Sequence, residues 1–499
     1  MILDQRTSGV LLHVTSLPGP HGIGDFGPAA FHLVDWLATA GQRLWQVLPL
    51  TPIGPGDSPY QSVSAFAGSP LMVALEPLIA RGWLPDPGDP GFDVARVDYG
   101  RVLPWRMAQL RAAAAGFFAD RAAPERAVFE AWCLDQASWL DDYALFMALE
   151  AAHAGAAWWD WAPPLATRDP VALEAARQAH AAELAFWQFV QWCFDHQWQA
   201  VRAHARARGV AIVGDLPIFV AHHSADCWAR PDLFLLGPDF QPSVVAGVPP
   251  DFFSADGQRW GNPLYDWDAM AADGYRWWAE RIRRMLVQAD VFRIDHFRGF
   301  AAHWEIPASC PTAVEGRWVR GPGKALFDAI EAAVGPLPII AEDLGVITPD
   351  VVALRDACGF PGMRILQFAF GDVAANPYLP HRFPPRSVAY TGTHDNDTTL
   401  GWWRSAAPPE RAFASAYLGC DEAGAAAAMM RAASTSPANT VLFPMQDVLG
   451  LDGSHRMNVP GQMGGNWAWR FDWPMVGEAG AALGRLAAAA GRAPFELLR

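Results

Sequence analysis

No two cysteines of this chain stand in a motif. Cys133, Cys193, Cys227, Cys310, Cys358 and Cys420 lie scattered through 499 residues, with no CxxC pair or other metal-ligand spacing. That pattern excludes zinc-ribbon and thioredoxin-type chemistry and predicts free thiols in a reducing cytoplasm. Long apolar runs are missing too: no stretch reaches the ~18 residues of a membrane helix. The opening residues, MILDQRTSGVLLHVTS, carry an acid and an arginine and no apolar core, so no signal peptide is expected. Positive charge is short. Lys plus Arg number 37 against 52 Asp plus Glu, a formal net charge of −15. Phosphate binding needs a basic face, so nucleic acid is not the expected partner. No Asp/Asn-rich loop asks for calcium, and the sequence calls for neither a metal nor a cofactor.

Apolar bulk is what the chain has. Hydrophobic residues make up 52%, ample for a large core. Length alone suggests roughly three domains, and one large barrel with insertions fits equally well. Tryptophan is abundant at 24 residues. Such residues either fill a core or offer flat platforms to a ligand with apolar faces, such as a sugar ring.

Strand-like runs occur at 9–19, 43–60, 210–220, 291–297, 338–345, 364–370, 387–397 and 440–450. Helical stretches such as GYRWWAERIRRMLVQA and GKALFDAIEAAV lie between them. Alternating strands and helices predict a parallel sheet buried on both faces. Eight such units close into a (β/α)8 barrel, with reactive groups at the C-terminal strand ends. The expected fold is therefore α/β, a single (β/α)8 barrel over 1–499. A mainly helical insertion at 70–205 follows strand two. A second insertion at 221–280 follows strand three and carries an aromatic loop at 248–267.

Four acidic residues mark strand ends: Asp215 in VGDLP, Asp295 in RIDHF, Glu342 in AEDLG and Asp395 in THDND. One such residue reads most simply as the cap of the following helix. Four, three of them beside His, Arg or Asp, read as a cluster at one barrel mouth. Residues i and i+2 of a strand share a face, so Arg293 points with Asp295 and favours its ionised form. Glu342 and Asp343 point to opposite faces, and Glu342 is assigned to the mouth. A carboxylate near others gains proton affinity, as a general acid requires. An ionised carboxylate paired with a protonated one suits glycosidic bond cleavage.

GDLPIFV, RIDHFRGF, AEDLGVITP and YTGTHDNDTT resemble the strand-end regions of the α-amylase superfamily, in wording most like the amylomaltases, the 4-α-glucanotransferases of glycoside hydrolase family 77. The likeness extends to LLHVTSLPGPHGIGDFG, GDSPYQSVSAFAGSP and MNVPGQMGGNWAWR. The resemblance implies that Asp295 is the nucleophile, Glu342 the acid/base and Asp395 a third carboxylate gripping sugar hydroxyls. It implies that Arg293 orients Asp295, and that His394 and Asp215 contact the sugar at the cleavage point. Phe253, Gln258 and Trp260 would line a loop over the cleft, and Tyr60, Asn466 and Trp467 would add binding surface. Maltooligosaccharides and other α-1,4-glucans are the implied partners. A hydrolase using the same carboxylates, and a non-catalytic glucan-binding protein on the same scaffold, are the rival readings.

Overall fold

The computed structural model describes residues 2–119, 124–250, 254–371 and 375–498. Eight parallel strands close a barrel: β1 (Thr7–Leu11), β2 (Leu44–Gln46), β3 (Ala211–Leu216), β6 (Val291–Ile294), β9 (Ile339–Ala341), β10 (Gly362–Ile365), β11 (Ser387–Tyr390) and β12 (Thr440–Pro444). Each pairs with the next in chain order, and β12 returns to β1. All eight overlap the runs expected from the sequence, β1 and β10 each beginning two residues earlier. The strands are buried at every residue but Ala211 and Arg364, as runs between two layers must nearly be. Where β1 meets β2 the backbones approach closely. A Cβ at Gly9 would lie 2.3 Å from the Leu44 carbonyl oxygen, so only glycine fits there.

Helices wrap the barrel. Pro28–Thr39 joins β1 to β2. Between β2 and β3 the chain passes through Tyr99–Ala119, Pro124–Asp135, Ala137–Ala152, Pro170–Ala179 and the long Ala181–Ala207. That last helix is tied to Arg276–Gln288 by a buried ion pair, in which Arg284 grips both oxygens of Asp195 at 2.7 and 2.8 Å. Trp198 adds a bond from its indole N–H to the Gln288 carbonyl, 2.8 Å.

A second sheet stands off the barrel, in the order β5–β4–β7–β8 and antiparallel throughout. β4 (Val244–Val248) and β5 (Gln258–Pro263) come from the connection after β3, whereas β7 (Ala302–Pro307) and β8 (Arg317–Arg320) follow β6. Sequence reading treats 248–267 as a loop; over the described residues its second half is strand β5, paired to β4. The pairing between β4 and β7 couples the connections that follow two neighbouring barrel strands. No helix of the described residues is long and apolar enough to cross a membrane.

Candidate active site

Register places the first pair of groups. β3 and β6 align Asp215 opposite Arg293. The guanidinium answers with two bonds, Nε to Oδ1 at 3.0 Å and Nη2 to Oδ2 at 2.9 Å. The same Nη2 reaches Asp295 Oδ1 at 2.8 Å, as expected of residues i and i+2 on one face. The Tyr60 hydroxyl donates to Asp215 Oδ2 at 2.6 Å and accepts from Arg293 at 3.2 Å. Asp215 is thus enclosed, its side chain 0% exposed, while Asp295 keeps 30% of its side chain open to the mouth.

Beyond Asp295 the chain turns sharply. His296 has φ +53°, a left-handed conformation unusual for a residue with a side chain. The turn aims its backbone N–H at Glu342, donating to Oε2 at 2.7 Å. Leu344 N–H donates to Oε1 at 2.9 Å. Both Glu342 oxygens are fixed by backbone. Asp343 faces away, accepting from Met363 N–H at 2.7 Å and Arg355 at 2.5 Å. Alternation therefore sends Glu342 to the mouth and Asp343 into the barrel wall, as the sequence suggested.

Asp395 enters from the loop after β11. Asn458 Nδ2 donates to its Oδ1 at 2.6 Å, and the His394 ring nitrogen lies 3.4 Å from that oxygen. Arg456 donates to the Asp395 carbonyl. Behind this loop Tyr60 stacks on His394 with ring centres 5.3 Å apart, and Trp467 tilts against both. None of the four carboxylates caps a helix. Side-chain caps on the α-helices among the described residues include Asp98, Asp169, Ser224, Asp266 and Thr398.

Electrostatics separates the two central carboxyls. Burial pushes Glu342 up to about 8, and the Asp295 charge adds to the shift; Arg293 and the two backbone N–H groups oppose it. Burial also raises Asp295, to about 6, against the pull of Arg293. Burial outweighs the guanidinium, so Arg293 limits the rise rather than producing a net fall. Asp295 remains the more acidic partner. At neutral pH the site holds an ionised Asp295 and a protonated Glu342, the division of labour that acid-assisted glycosyl transfer needs.

Comparison with known proteins decides the family. The profile of the 4-alpha-glucanotransferases, glycoside hydrolase family 77, matches residues 12–475. The chain belongs to the 4-alpha-glucanotransferase family. A 4-alpha-glucanotransferase of Thermus thermophilus is 52% identical over 474 residues, covering 93% of this chain and 95% of its own. That of Synechocystis sp. is 46% identical over 477 residues, 94% of each chain. An amylomaltase of Streptococcus agalactiae, solved in complex with acarbose, superposes with TM-score 0.95 at 36% identity, covering 98% of this chain and 100% of that one. Family membership makes the chain an enzyme of the transferase class and sets aside the hydrolase and binding-only readings.

The remaining expected site residues fall as follows. Trp260 lies on β5 with its ring edge-on to His296, centres 4.7 Å apart, and its indole N–H donates to Gln258 at 3.1 Å. Gln61 and Asn262 bond to each other at 3.1 Å and so tie β5 to the loop that carries Tyr60. Asn466 spends its side chain locally, accepting from Val459 N–H at 3.0 Å and donating to the Gln462 carbonyl at 2.9 Å. It shapes its loop, and Trp467 follows it at φ +60°. Phe253 lies outside the described residues. Sequence reading missed Asn458, Arg456, Gln61 and Asn262. Asn458 and Gln61 lie in MNVPG and SPYQS, inside stretches that carried the family likeness, and that was the one available signal.

Proposed function

We propose that this enzyme transfers α-1,4-glucan segments between maltooligosaccharides by retaining double displacement. The observation that carries the reading is the pair Asp295 and Glu342, one charged beside Arg293 and one protonated between two backbone donors. In the first step Asp295 attacks the anomeric carbon. The bond to the glycosidic oxygen breaks, and Glu342 gives that oxygen its proton. In the second step a sugar hydroxyl of the acceptor attacks the same carbon. Glu342 takes the hydroxyl proton, and the ester to Asp295 breaks, with net retention. Asp395, aimed by Asn458, holds sugar hydroxyls as the ring flattens.

In this reading Asp215 acts by bracing Arg293 and Tyr60; a direct sugar contact from Asp215 requires one of those bonds to open. Tyr60, His394, Gln258, Trp260 and Trp467 form the binding surface. Asn466 sets the position of Trp467, and Phe253 is assigned to the aromatic lid on resemblance alone. We also propose that 1–499 acts as one catalytic barrel, with 70–205 and 221–280 as insertions, the second carrying the aromatic lid loop 248–267. The six free thiols fit a cytoplasmic enzyme.

The test is incubation with maltotriose. Transfer gives glucose together with maltopentaose and longer chains, at a constant number of reducing ends. Maltose and glucose alone, with reducing ends rising, would refute it.

A further inference from the structure

Away from the catalytic mouth, three chemically suited side chains converge. His21 lies in the loop after β1, Asp25 four residues on, and Glu76 opens the short helix Glu76–Ala80. Candidate donor atoms from all three lie within 4.8 Å of one another. The sequence gives no hint of this, because the residues are spread from 21 to 76 in no recognised spacing.

Two observations set the cluster apart from ordinary surface acids. The His21 side chain is 7% exposed, and its Nδ1 is buried with no hydrogen-bond partner. That nitrogen stands 3.9 Å from Glu76 Oε1, too far to bond and close enough to share an ion. Glu76 Oε2 is also buried without a partner. Buried polar atoms are nearly always satisfied, so a partnerless His21 Nδ1 beside the Glu76 carboxylate is a donor free for a ligand.

The surroundings fit a cation. Trp105 lies against the His21 ring, centres 5.6 Å apart, and holds its plane. Arg106 bonds Asp25 Oδ2 with both terminal nitrogens at 3.1 Å, and Gly27 N–H fixes Oδ1 at 3.0 Å. Outer bonds of this kind orient a ligating carboxylate. Arg106 brings a positive charge, but it makes no ion pair with Glu76, and Asp86 and Asp89 line the same solvent-open cleft. Arg470 also feels the Asp25 charge, and the four carboxylates still outnumber the two guanidiniums.

We infer that His21, Asp25 and Glu76 form a binding site for a first-row divalent cation of the zinc type. One imidazole and two carboxylates match that ion's preferred donors, and water would complete its shell from the open cleft. Bound there, the ion would fasten the first barrel loop to the start of helix Glu76–Ala80. It takes no part in the proposed glycosyl transfer.

The test is titration of metal-free full-length protein with zinc chloride, followed by calorimetry and by thermal unfolding. The variants are H21Q and E76Q; Glu76 is partly exposed, so E76Q keeps the folding question separate. The expected result is uptake of one ion per chain and a rise in unfolding temperature with zinc concentration. Each variant should weaken uptake at least ~10-fold, since even outer partners of a metal site contribute that much. Absence of uptake by the unaltered protein up to ~1 mM, far above the range of built zinc sites, would overturn the assignment. So would uptake that either variant leaves within that tenfold margin, which would mark the ion as held elsewhere, on thiols or surface histidines.

Discussion

His296 N–H and Glu342 Oε2 are joined by a 2.7 Å hydrogen bond, so the residue after one catalytic candidate holds the other. The bond exists because His296 adopts φ +53°. Left-handed backbone at such a residue costs about 1 kcal/mol, tolerated where the surroundings enforce it. The result is that backbone holds the Glu342 carboxyl while Arg293 holds that of Asp295, so each side of the pair has its own anchor.

A bell-shaped pH profile follows. Activity requires Asp295 ionised and Glu342 protonated. It should rise as pH climbs through about 6 and fall through about 8. With a fluoride donor, Glu342→Gln should lose the alkaline limb of the first step. A profile flat from pH 5 to 9 would remove the coupled pair from the mechanism.

The two roles separate by mutation. Asp295→Asn should lower turnover roughly 10⁴-fold or more, as loss of a covalent nucleophile does. Glu342→Gln should still form a glycosyl-enzyme from a glucosyl fluoride, whose leaving group needs little protonation. Mass spectrometry of the intact protein reads the adduct. An adduct on Asp295→Asn and none on Glu342→Gln would reverse the assignment. In a glucan complex the carboxyl groups should stand about 5–5.5 Å apart.

Trp260 bears on the choice of acceptor. Water is present at about 55 M, so a sugar must prevail by binding and orientation. Removing an aromatic platform should weaken acceptor binding by ~1 kcal/mol or more, about fivefold. Trp260→Ala is therefore expected to raise the ratio of reducing ends gained to transfer events on maltotriose about fivefold. An unchanged ratio with activity intact would take the β5 arm out of acceptor selection.

Asn458 donates to the Asp395 carboxylate at 2.6 Å. Hydrogen bonds to charged groups contribute roughly 1.5–3 kcal/mol, so Asn458→Ala should cut kcat/KM about ten- to 150-fold. If Asp395 grips the transition state more tightly than the ground state, the loss lies in kcat. A raised KM at constant kcat would make Asn458 a ground-state binding residue instead.

Stability has its own weak point in Arg284. Its removal leaves Asp195 buried and uncompensated. Arg284→Met should cost about 3–5 kcal/mol, whereas replacing both partners with apolar residues should restore much of it. Denaturant unfolding of the single and double variants measures this; additive losses would show that the pair is not coupled.

Much of this arrangement was legible in the sequence. The barrel strands were, because strands buried on both faces leave apolar runs such as VAIVG before Asp215 and TVLFP in β12. Alternation was enough to separate Glu342 from Asp343. The second sheet was hidden, since β5 reads QRWGNP, with glycine and proline inside a strand. Asn458 was hidden for another reason. It meets Asp395 across 63 positions from an irregular loop, and periodicity says nothing about such encounters. Asn466 shows what a motif leaves open: its side chain is engaged with its own loop, an encounter that no spacing in the sequence announces.

That second sheet ends in two open edges, β5 and β8. An exposed edge invites another chain to add a strand. Both edges are guarded. β8 carries Arg317 and Arg320 at its ends, and β5 carries Arg259, Gly261 and Pro263. Charge and proline of this kind discourage strand addition. A sheet that reaches the catalytic mouth through Trp260 is thereby discouraged from pairing with a second chain, which would crowd the very arm that sits beside His296.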